Sequence, residues 1–248
     1  MKRALLATAL LLPAGCQHQP AATPVPAVSA VTTRWTADAP DAEHPFFGYT
    51  VRNDVHGAGP GPQRIWADSP ARWGVRADHP ETGAVQAHPH VGRTVGRSLG
   101  KLRAATSRFA VSVPAGGRYS SAYTLRCGSG AYEVVLWVNW QGNMPPLARD
   151  GASASQPGVE TSAVAVGGHT WDVYKGRNGA AVVISFRCTN QLVVGEVDVK
   201  AILDWVRNRG WFGAADDLRL DEVQFGWEIA ASPGGLEFTV KDFALDVR

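Results

Sequence analysis

Over the second half of the chain, apolar and polar residues alternate in short runs that Gly, Pro or Asn interrupt. The runs are rich in β-branched and aromatic residues, which fit the pleated surface of a sheet. The pattern predicts strands over residues 108–113, 121–127, 132–140, 162–166, 170–174, 181–188, 192–198, 218–230 and 236–247. Many short strands at close spacing favour an all-β fold, an antiparallel sandwich.

One segment, residues 199–209, has the period of a helix instead. Asp198 can cap the start of this helix, and Gly210 can end it. Its apolar residues lie three or four positions apart, at Val199, Ile202, Leu203 and Val206.

The pattern is weaker before these strands. Residues 46–53 are a short apolar run that begins the domain, and residues 57–62 predict a turn. Residues 78–92 predict a loop that contains three histidines, His79, His88 and His90. Three imidazoles this close can bind a metal, but no strand or helix fixes their spacing, so we favour a solvated loop without metal.

The N-terminus predicts an export signal that is not part of the fold. Lys2 and Arg3 precede an apolar run, residues 4–12, that is too short to span a membrane. Small residues then lead to Cys16, and residues 1–16 resemble a bacterial lipoprotein signal, whose cleavage leaves the Cys as a lipidated N-terminus. An ordinary signal peptide, cut slightly later, is the alternative and predicts a secreted protein.

Residues 17–33 are rich in Pro and Ala and predict a semi-extended linker to a domain over residues 34–248. A lipid anchor on Cys16 would hold this domain to a membrane surface without spanning it. Outside the cytoplasm two cysteines usually pair, so we expect a disulfide between Cys127 and Cys188. Two buried free thiols are the alternative.

Composition limits the classes of function. The 248 residues are 45% hydrophobic and 19% charged, which is enough apolar material for a packed core. The net charge of +2 gives no reason to expect a nucleic-acid partner. We expect a monomer without a cofactor.

The strand predicted over residues 132–140 carries an acid in an otherwise apolar run. Successive side chains on a strand point to opposite faces. One face therefore holds Tyr132, Val134, Leu136 and Val138, and the other holds Glu133, Val135, Trp137 and Asn139. A buried Glu is costly unless it lines a cleft or finds a partner, so Glu133 marks a candidate site.

Glu228 repeats this pattern within residues 223–229. In a strand it would share a face with Gln224 and Gly226, and Gly226 would leave room for a ligand near the backbone. Hydrolysis of a glycosidic bond requires two carboxyl groups that face one cleft. Glu133 and Glu228 are therefore candidates for such a pair.

Several segments, in this order, resemble glycoside hydrolase family 12. They are YEVVLWVNWQG at 132–142, GGHTWDVYKG at 167–176, VVISF at 182–186, the helix led by DVK at 198–200, VQFGWE at 223–228 and GGLEFTVKDFALDV at 234–247. The resemblance covers roughly Tyr49 to the C-terminus and is strongest after Ser120. It implies a concanavalin-like, curved β-sandwich of jelly-roll type, whose concave sheet forms the substrate cleft of a retaining endo-β-1,4-glucanase or xyloglucanase.

The resemblance also implies roles for single residues. Glu133 occupies the place of the nucleophile, and Glu228 occupies the place of the acid/base. Trp137 corresponds to an aromatic residue of the cleft wall. Weaker candidates for cleft lining are Asn139, Pro145 and Gln224. The implied partner is a polysaccharide such as cellulose, mixed-linkage glucan or xyloglucan.

The sequence departs from the family pattern at three places. Thr124 stands where the family has an Asp beside the nucleophile, and Val135 stands where it has a Met. His56, in the segment that begins with Asn53, stands where a Trp stacks on a sugar; we place His56, Asn53 and Thr124 among the substrate-binding residues. An active hydrolase is the favoured function, and a non-catalytic carbohydrate-binding lipoprotein is the main alternative. A structural envelope sandwich predicts that the two acids lie far apart or on different faces.

Overall fold

A computed structural model describes residues 33–146, 159–213 and 217–248. The predicted signal, with Cys16, and nearly all of the predicted linker lie outside the described residues. The described chain forms fifteen strands and one helix. The strands are β1 (Trp35–Ala37), β2 (Glu43–Phe46), β3 (Tyr49–Arg52), β4 (Gln63–Ser69), β5 (Arg72–Ala77), β6 (His90–Ser98), β7 (Ala105–Ser112), β8 (Arg118–Cys127), β9 (Tyr132–Gln141), β10 (Thr161–Val166), β11 (His169–Asn178), β12 (Ala181–Cys188), β13 (Val194–Asp198), β14 (Arg219–Ala231) and β15 (Leu236–Val247).

The strands form two sheets. The six-stranded sheet has the order β1-β4-β5-β15-β7-β13, and the nine-stranded sheet has the order β10-β11-β12-β9-β8-β14-β6-β3-β2. Neighbouring strands run antiparallel, except that β9 and β12 are parallel. The prediction of an all-β sandwich is confirmed.

The core lies between the inward faces of the two sheets. Tyr123 and Phe225 of the nine-stranded sheet pack against Phe109 and Phe243 of the six-stranded sheet. The rings of Phe225 and Phe243 stack with their centroids 5.4 Å apart. Burial of one such side chain contributes about 1.5–3 kcal/mol, so these aromatic residues are a main source of the attraction between the sheets.

The helix α1 (Val199–Asn208) is confirmed together with its caps. The Asp198 carboxylate accepts a hydrogen bond from the backbone N–H of Ala201 at 2.9 Å. Gly210 follows the helix with φ of 68°, a conformation that favours glycine. The four residues predicted to form the apolar stripe are all buried. No helix in the described ranges is both long enough and apolar enough to cross a membrane.

The expected disulfide is wrong, because Cys127 and Cys188 are free, buried thiols. Cys127 pairs with Tyr132, which pairs in turn with Val182, whereas Cys188 lies six residues farther along β12 (182 to 188). At about 3.3 Å per residue this places the two thiols far beyond disulfide reach. Burial raises the pKa of the Cys127 thiol to about 12, so this thiol is unreactive at neutral pH.

Candidate active site

The strand register places Glu133 and Glu228 on one face of the nine-stranded sheet. Arg126 of β8 pairs with Glu133 of β9 and with Glu222 of β14. Residues that pair across antiparallel strands share a face. Glu228 follows Glu222 by an even number of residues without a break in register, so it points to the same side, which we call the cleft face. This placement counts against a purely structural sandwich.

A second apolar cluster covers the cleft face and is separate from the main core. It consists of Val85, Ala122, Val135, Trp137, Met144, Val183 and Ala230, with Trp140 partly buried against them. Val135 and Trp137 share the side of Glu133, whereas the intervening residues belong to the main core. Trp137, predicted as a cleft wall, is fully buried in this cluster and therefore supports the floor of the cleft.

Glu133 is accompanied by a cation. Its Oε1 atom lies 3.9 Å from Nη2 of Arg126, and its side chain is 10% exposed. Burying a carboxylate is costly, and an adjacent guanidinium compensates part of that cost. The sequence pattern did not predict a role for Arg126. Arg126 stands two residues after Thr124 on the same strand, so the two side chains share the cleft face.

Glu228 lines a cavity of about 300 Å³ and is itself only 3% exposed. The hydroxyl of Ser120 donates a hydrogen bond to its Oε2 atom at 3.3 Å. Arg126, which contacts Glu133, also lines this cavity. The described residues that line it are Asp54, His56, Val85, His88, Arg126, Asn178 and Glu228.

Thr124 and Gln224 lie next to each other on the cleft face. Thr124 pairs with Val135 on one side and with Gln224 on the other, and it is fully buried. The Gln224 side chain donates a hydrogen bond to Glu222 Oε2 at 2.9 Å and lines a neighbouring cavity. Where the family has an acid, the cleft face therefore carries a buried hydroxyl.

A bulge in β9 overturns the predicted orientation of Asn139. Trp137 pairs with Ala122, but Asn139 pairs with the adjacent Ser121, so one extra residue interrupts the alternation. Asn139 consequently leaves the cleft face and donates a hydrogen bond to Gln191 at 3.1 Å. Trp140 takes its place on the cleft face.

Trp140 was not predicted as a site residue, yet it presents the partly exposed aromatic ring of the cleft face. The guanidinium of Arg187 lies 4.1 Å from the centroid of this ring. Arg187 pairs with Trp137 on the neighbouring strand, which puts it on the same face. Trp140 reaches the cleft face because of the bulge in β9, and a strict period of two does not predict that bulge.

Asn53 and His56 occupy the same loop but different environments. Asn53 is fully buried, donates to the carbonyl of Ala39 at 2.8 Å and accepts from Gln63, so it supports the loop, and its contact with substrate stays a prediction. The His56 side chain is 52% exposed and lines the cavity of Glu228. The imidazole therefore stands where a substrate can reach it.

Pro145 is half-buried directly after Met144 of the cleft-face cluster, and its role in lining the cleft stays a prediction.

Gly226 has no free space beside it. A Cβ atom on Gly226 would lie 2.0 Å from the carbonyl oxygen of Pro89 and 2.7 Å from Cα of His90. The space beside Gly226 is therefore filled by the start of β6, and the prediction that a ligand approaches there is wrong.

The prediction of a solvated histidine loop is also wrong. His79, His88 and His90 are each at most 5% exposed, and His90 begins β6. They are buried because this segment packs against both the 53–57 loop and β14: the backbone N–H of His88 donates to Asp54 at 2.8 Å, and Trp227 donates to Pro89 at 3.1 Å.

Asp54 joins two of these histidines beside the cavity. Burial alone raises the pKa of its carboxyl, but hydrogen bonds with His56 and His88 hold that pKa well below its usual range. Burial, followed by the neighbouring His88, lowers the pKa of His90 to about 3, so its imidazole is neutral at physiological pH.

Comparisons with known proteins agree with this geometry. The sequence profile described as glycosyl hydrolase family 12 matches residues 119–248, which include both acids. A probable xyloglucan-specific endo-β-1,4-glucanase A of Aspergillus clavatus is 28% identical over 120 residues, or 48% of this chain and 46% of that protein. The chain thus spans about half the length of the curated relatives it matches.

Solved structures are similar over most of the chain. The xyloglucanase domain of NopAA, a type three effector from Sinorhizobium fredii in complex with cellobiose, is 34% identical with a TM-score of 0.78, covering 86% of this chain and 99% of that one. A native family 12 xyloglucanase from Bacillus licheniformis shares the fold, with a TM-score of 0.72 at 20% identity, over 86% of this chain and 100% of that one.

Proposed function

The chain belongs to glycosyl hydrolase family 12, and from this membership we propose that it cleaves β-1,4-linked glucans at internal bonds. One observation carries the proposal: Glu133 and Glu228 lie on one face of the sheet, and Arg126 contacts the first acid while lining the cavity of the second. Both acids and the cavity come from a single chain, which supports function as a monomer.

We propose a retaining mechanism with two steps. Glu133 attacks the anomeric carbon and forms a glycosyl-enzyme, while Glu228 gives its proton to the departing glycosidic oxygen. Glu228 then takes a proton from water, whose oxygen attacks the anomeric carbon and displaces Glu133. This two-step reaction requires the carboxyl groups of Glu133 and Glu228 to lie roughly 5–5.5 Å apart in the substrate complex.

Xyloglucan is the substrate that the comparisons favour within this class. The 34% identical solved relative is described as a xyloglucanase domain, and the curated relatives are described as xyloglucan-specific endo-β-1,4-glucanases or probable ones. On the cleft face, Trp140 backed by Arg187 offers an aromatic surface on which a sugar ring can stack.

The test is release of reducing ends by the purified full chain from xyloglucan, mixed-linkage glucan and carboxymethyl cellulose. Glu133→Gln should lower the rate roughly 10³-fold or more, because the amide is a poor nucleophile. Glu237→Gln is the matched control, since Glu237 is 74% exposed and belongs to the six-stranded sheet. Equal rates in Glu133→Gln and wild type would remove Glu133 from the mechanism.

The second candidate is a carbohydrate-binding protein without turnover. Thr124 in place of an acid, and His56 in place of a stacking Trp, are the observations that favour it. It predicts retarded migration of the protein in xyloglucan-containing gels and no reducing ends. Measurable turnover by the wild-type chain excludes this candidate.

We also propose that the protein acts at the cell envelope, held by a lipid on Cys16. The support is the order of residues at the N-terminus: two basic residues, an apolar run and small residues before the Cys. The Pro- and Ala-rich residues 17–33 would separate the hydrolase domain from the membrane surface.

A further inference from the structure

We propose that Asp54, His88 and His90 form a binding site for a divalent transition-metal ion of the zinc type. One ligand atom from each residue lies within 4.8 Å of those of the other two. Imidazole nitrogen and carboxylate oxygen are preferred zinc ligands, and three protein ligands leave a fourth position for water. The hydrolase mechanism proposed above has no use for this cluster.

The backbone explains why the two imidazoles converge. His88 and His90 are separated by one residue where the chain enters β6, so an extended backbone directs both rings to one side. Their rings stack with centroids 4.6 Å apart. The Nδ1 atom of His88 lies 3.6 Å from Oδ2 of Asp54, close to the spacing of about 3.4 Å between donor atoms around a tetrahedral zinc. The ring of His90 lies beside the same carboxylate, with its Nδ1 atom 3.7 Å from that oxygen.

The hydrogen bonding of His90 leaves one nitrogen free to bind a metal. Its Nδ1 atom lies 2.7 Å from the backbone carbonyl of His88, which fixes the proton on Nδ1. Its Nε2 atom is buried and has no hydrogen-bond partner among the described residues. Histidines that bind metal usually donate their other N–H to a carbonyl or carboxylate in this way. Leaving such a nitrogen unpaired is costly, and a metal ion removes that cost.

Asp54 is held in place by its backbone. It has φ of 43°, a left-handed conformation that few residues other than glycine adopt. Its carbonyl accepts a hydrogen bond from the backbone N–H of His88 at 2.8 Å, which ties the two ligand-bearing segments together. The second carboxylate oxygen lies 3.2 Å from Nδ1 of His56. The left-handed backbone of Asp54 is strained, and backbone strain of this kind is characteristic of functional sites.

The charge balance around the cluster permits a cation. Arg52 is the positive side chain nearest in sequence to Asp54. Its own charge is compensated by Glu43 at 2.8 Å and by Glu222 at 3.2 Å. Asp54 therefore retains a negative charge to offer to the metal.

The experiment is isothermal titration of the metal-free full chain with Zn²⁺, with Mg²⁺ as the comparison ion and without glycan. We expect a Zn²⁺ site that His88→Ala and His90→Gln each weaken roughly 100-fold or more, since even loss of an outer partner costs about 10–100-fold. His169→Asn is the matched control, because His169 is an imidazole outside the cluster, on β11. Mg²⁺, which prefers oxygen ligands and water, should not compete.

Thermal unfolding and the absorption spectrum of bound Co²⁺ test the same metal site independently. Zn²⁺ should raise the Tm of wild type and His169→Asn but not of folded His88→Ala. Co²⁺ should give the visible bands of a four-coordinate site without the near-ultraviolet band of a thiolate ligand, which excludes Cys16 and the buried thiols. No Zn²⁺ binding by wild type, or equal binding by all variants, overturns the proposal. Because no glycan is present, this outcome is independent of hydrolysis.

Discussion

Arg126 and Glu133 form a pair across β8 and β9 on the cleft face. The family pattern places an acid beside the nucleophile, but Thr124 occupies that position in this chain. A hydroxyl cannot share a titrating proton with Glu133 as a carboxyl can. A charged neighbour that the structure provides is a cation, because the Arg126 guanidinium lies 3.9 Å from the Glu133 carboxylate and can orient it. We therefore assign Arg126 the role of a positioning residue.

Replacement of Arg126 should separate its charge from its packing. Arg126→Met is expected to lower kcat roughly tenfold and to leave KM nearly unchanged, because the Glu133 carboxylate then loses the guanidinium 3.9 Å away that holds it in position. The effect is limited because the Arg126 side chain is 43% exposed. Arg126→Lys keeps the charge and should recover most of the lost rate. If both variants lower kcat equally, the effect is not one of charge.

At the scale of elements, the contact between β14 and the start of β6 positions Glu228. Gly226 lies two residues before Glu228, and Pro89 lies against it where a side chain would otherwise stand. The backbone N–H of Trp227 donates to the Pro89 carbonyl at 3.1 Å. This close approach also brings His88 and His90 next to the cavity. Glycine is needed here for space, since its backbone conformation is ordinary.

Gly226→Ala should therefore destabilise the fold. The added methyl group must displace backbone, which overpacking data suggest costs about 1–3 kcal/mol. The free energy of unfolding from urea titration measures this cost. Gly116→Ala is the control, because no atom lies within 4 Å of its Cβ position and its φ is not positive, so it should match wild type within about 0.5 kcal/mol. Comparable stability of the two variants would contradict the packing at Gly226.

The sequence predicts most elements after β6 but not the irregularities within them. Long strands such as β9 and β14 are nearly continuous apolar runs, because one face packs in the core and the other in the cleft-face cluster, so the acids Glu133 and Glu228 stand out in them. A period of two then assigns each side chain to a face. The same rule fails at Asn139, because the bulge depends on pairing with Ser121 and Ala122, which lies outside the strand's own sequence.

At the scale of the molecule, long-range packing decides what local pattern cannot. His88 and His90 resemble a polar loop in sequence, and they are buried because Asp54, more than thirty residues earlier, packs against them. Cys127 and Cys188 each end a strand, but the parallel pairing of β9 with β12 keeps them apart. In both cases the topology of the sheets decides which residues become neighbours, and composition and spacing do not reveal this.

The proposed lipid on Cys16 can be tested only on the whole chain. Cys16→Ser should move the protein from the membrane fraction to the soluble fraction of its host and abolish incorporation of labelled palmitate, because the residue that would carry the lipid is lost. Hydrolysis of soluble xyloglucan per mole of protein should be unchanged, since both acids lie in residues 119–248. Cys188→Ser, in a buried free thiol, is the matched control and should remain membrane-bound. A soluble wild-type protein would instead support an ordinary signal peptide cut after Cys16. If Cys16→Ser and Cys188→Ser appear in the soluble fraction to the same extent, the result argues against lipidation of Cys16.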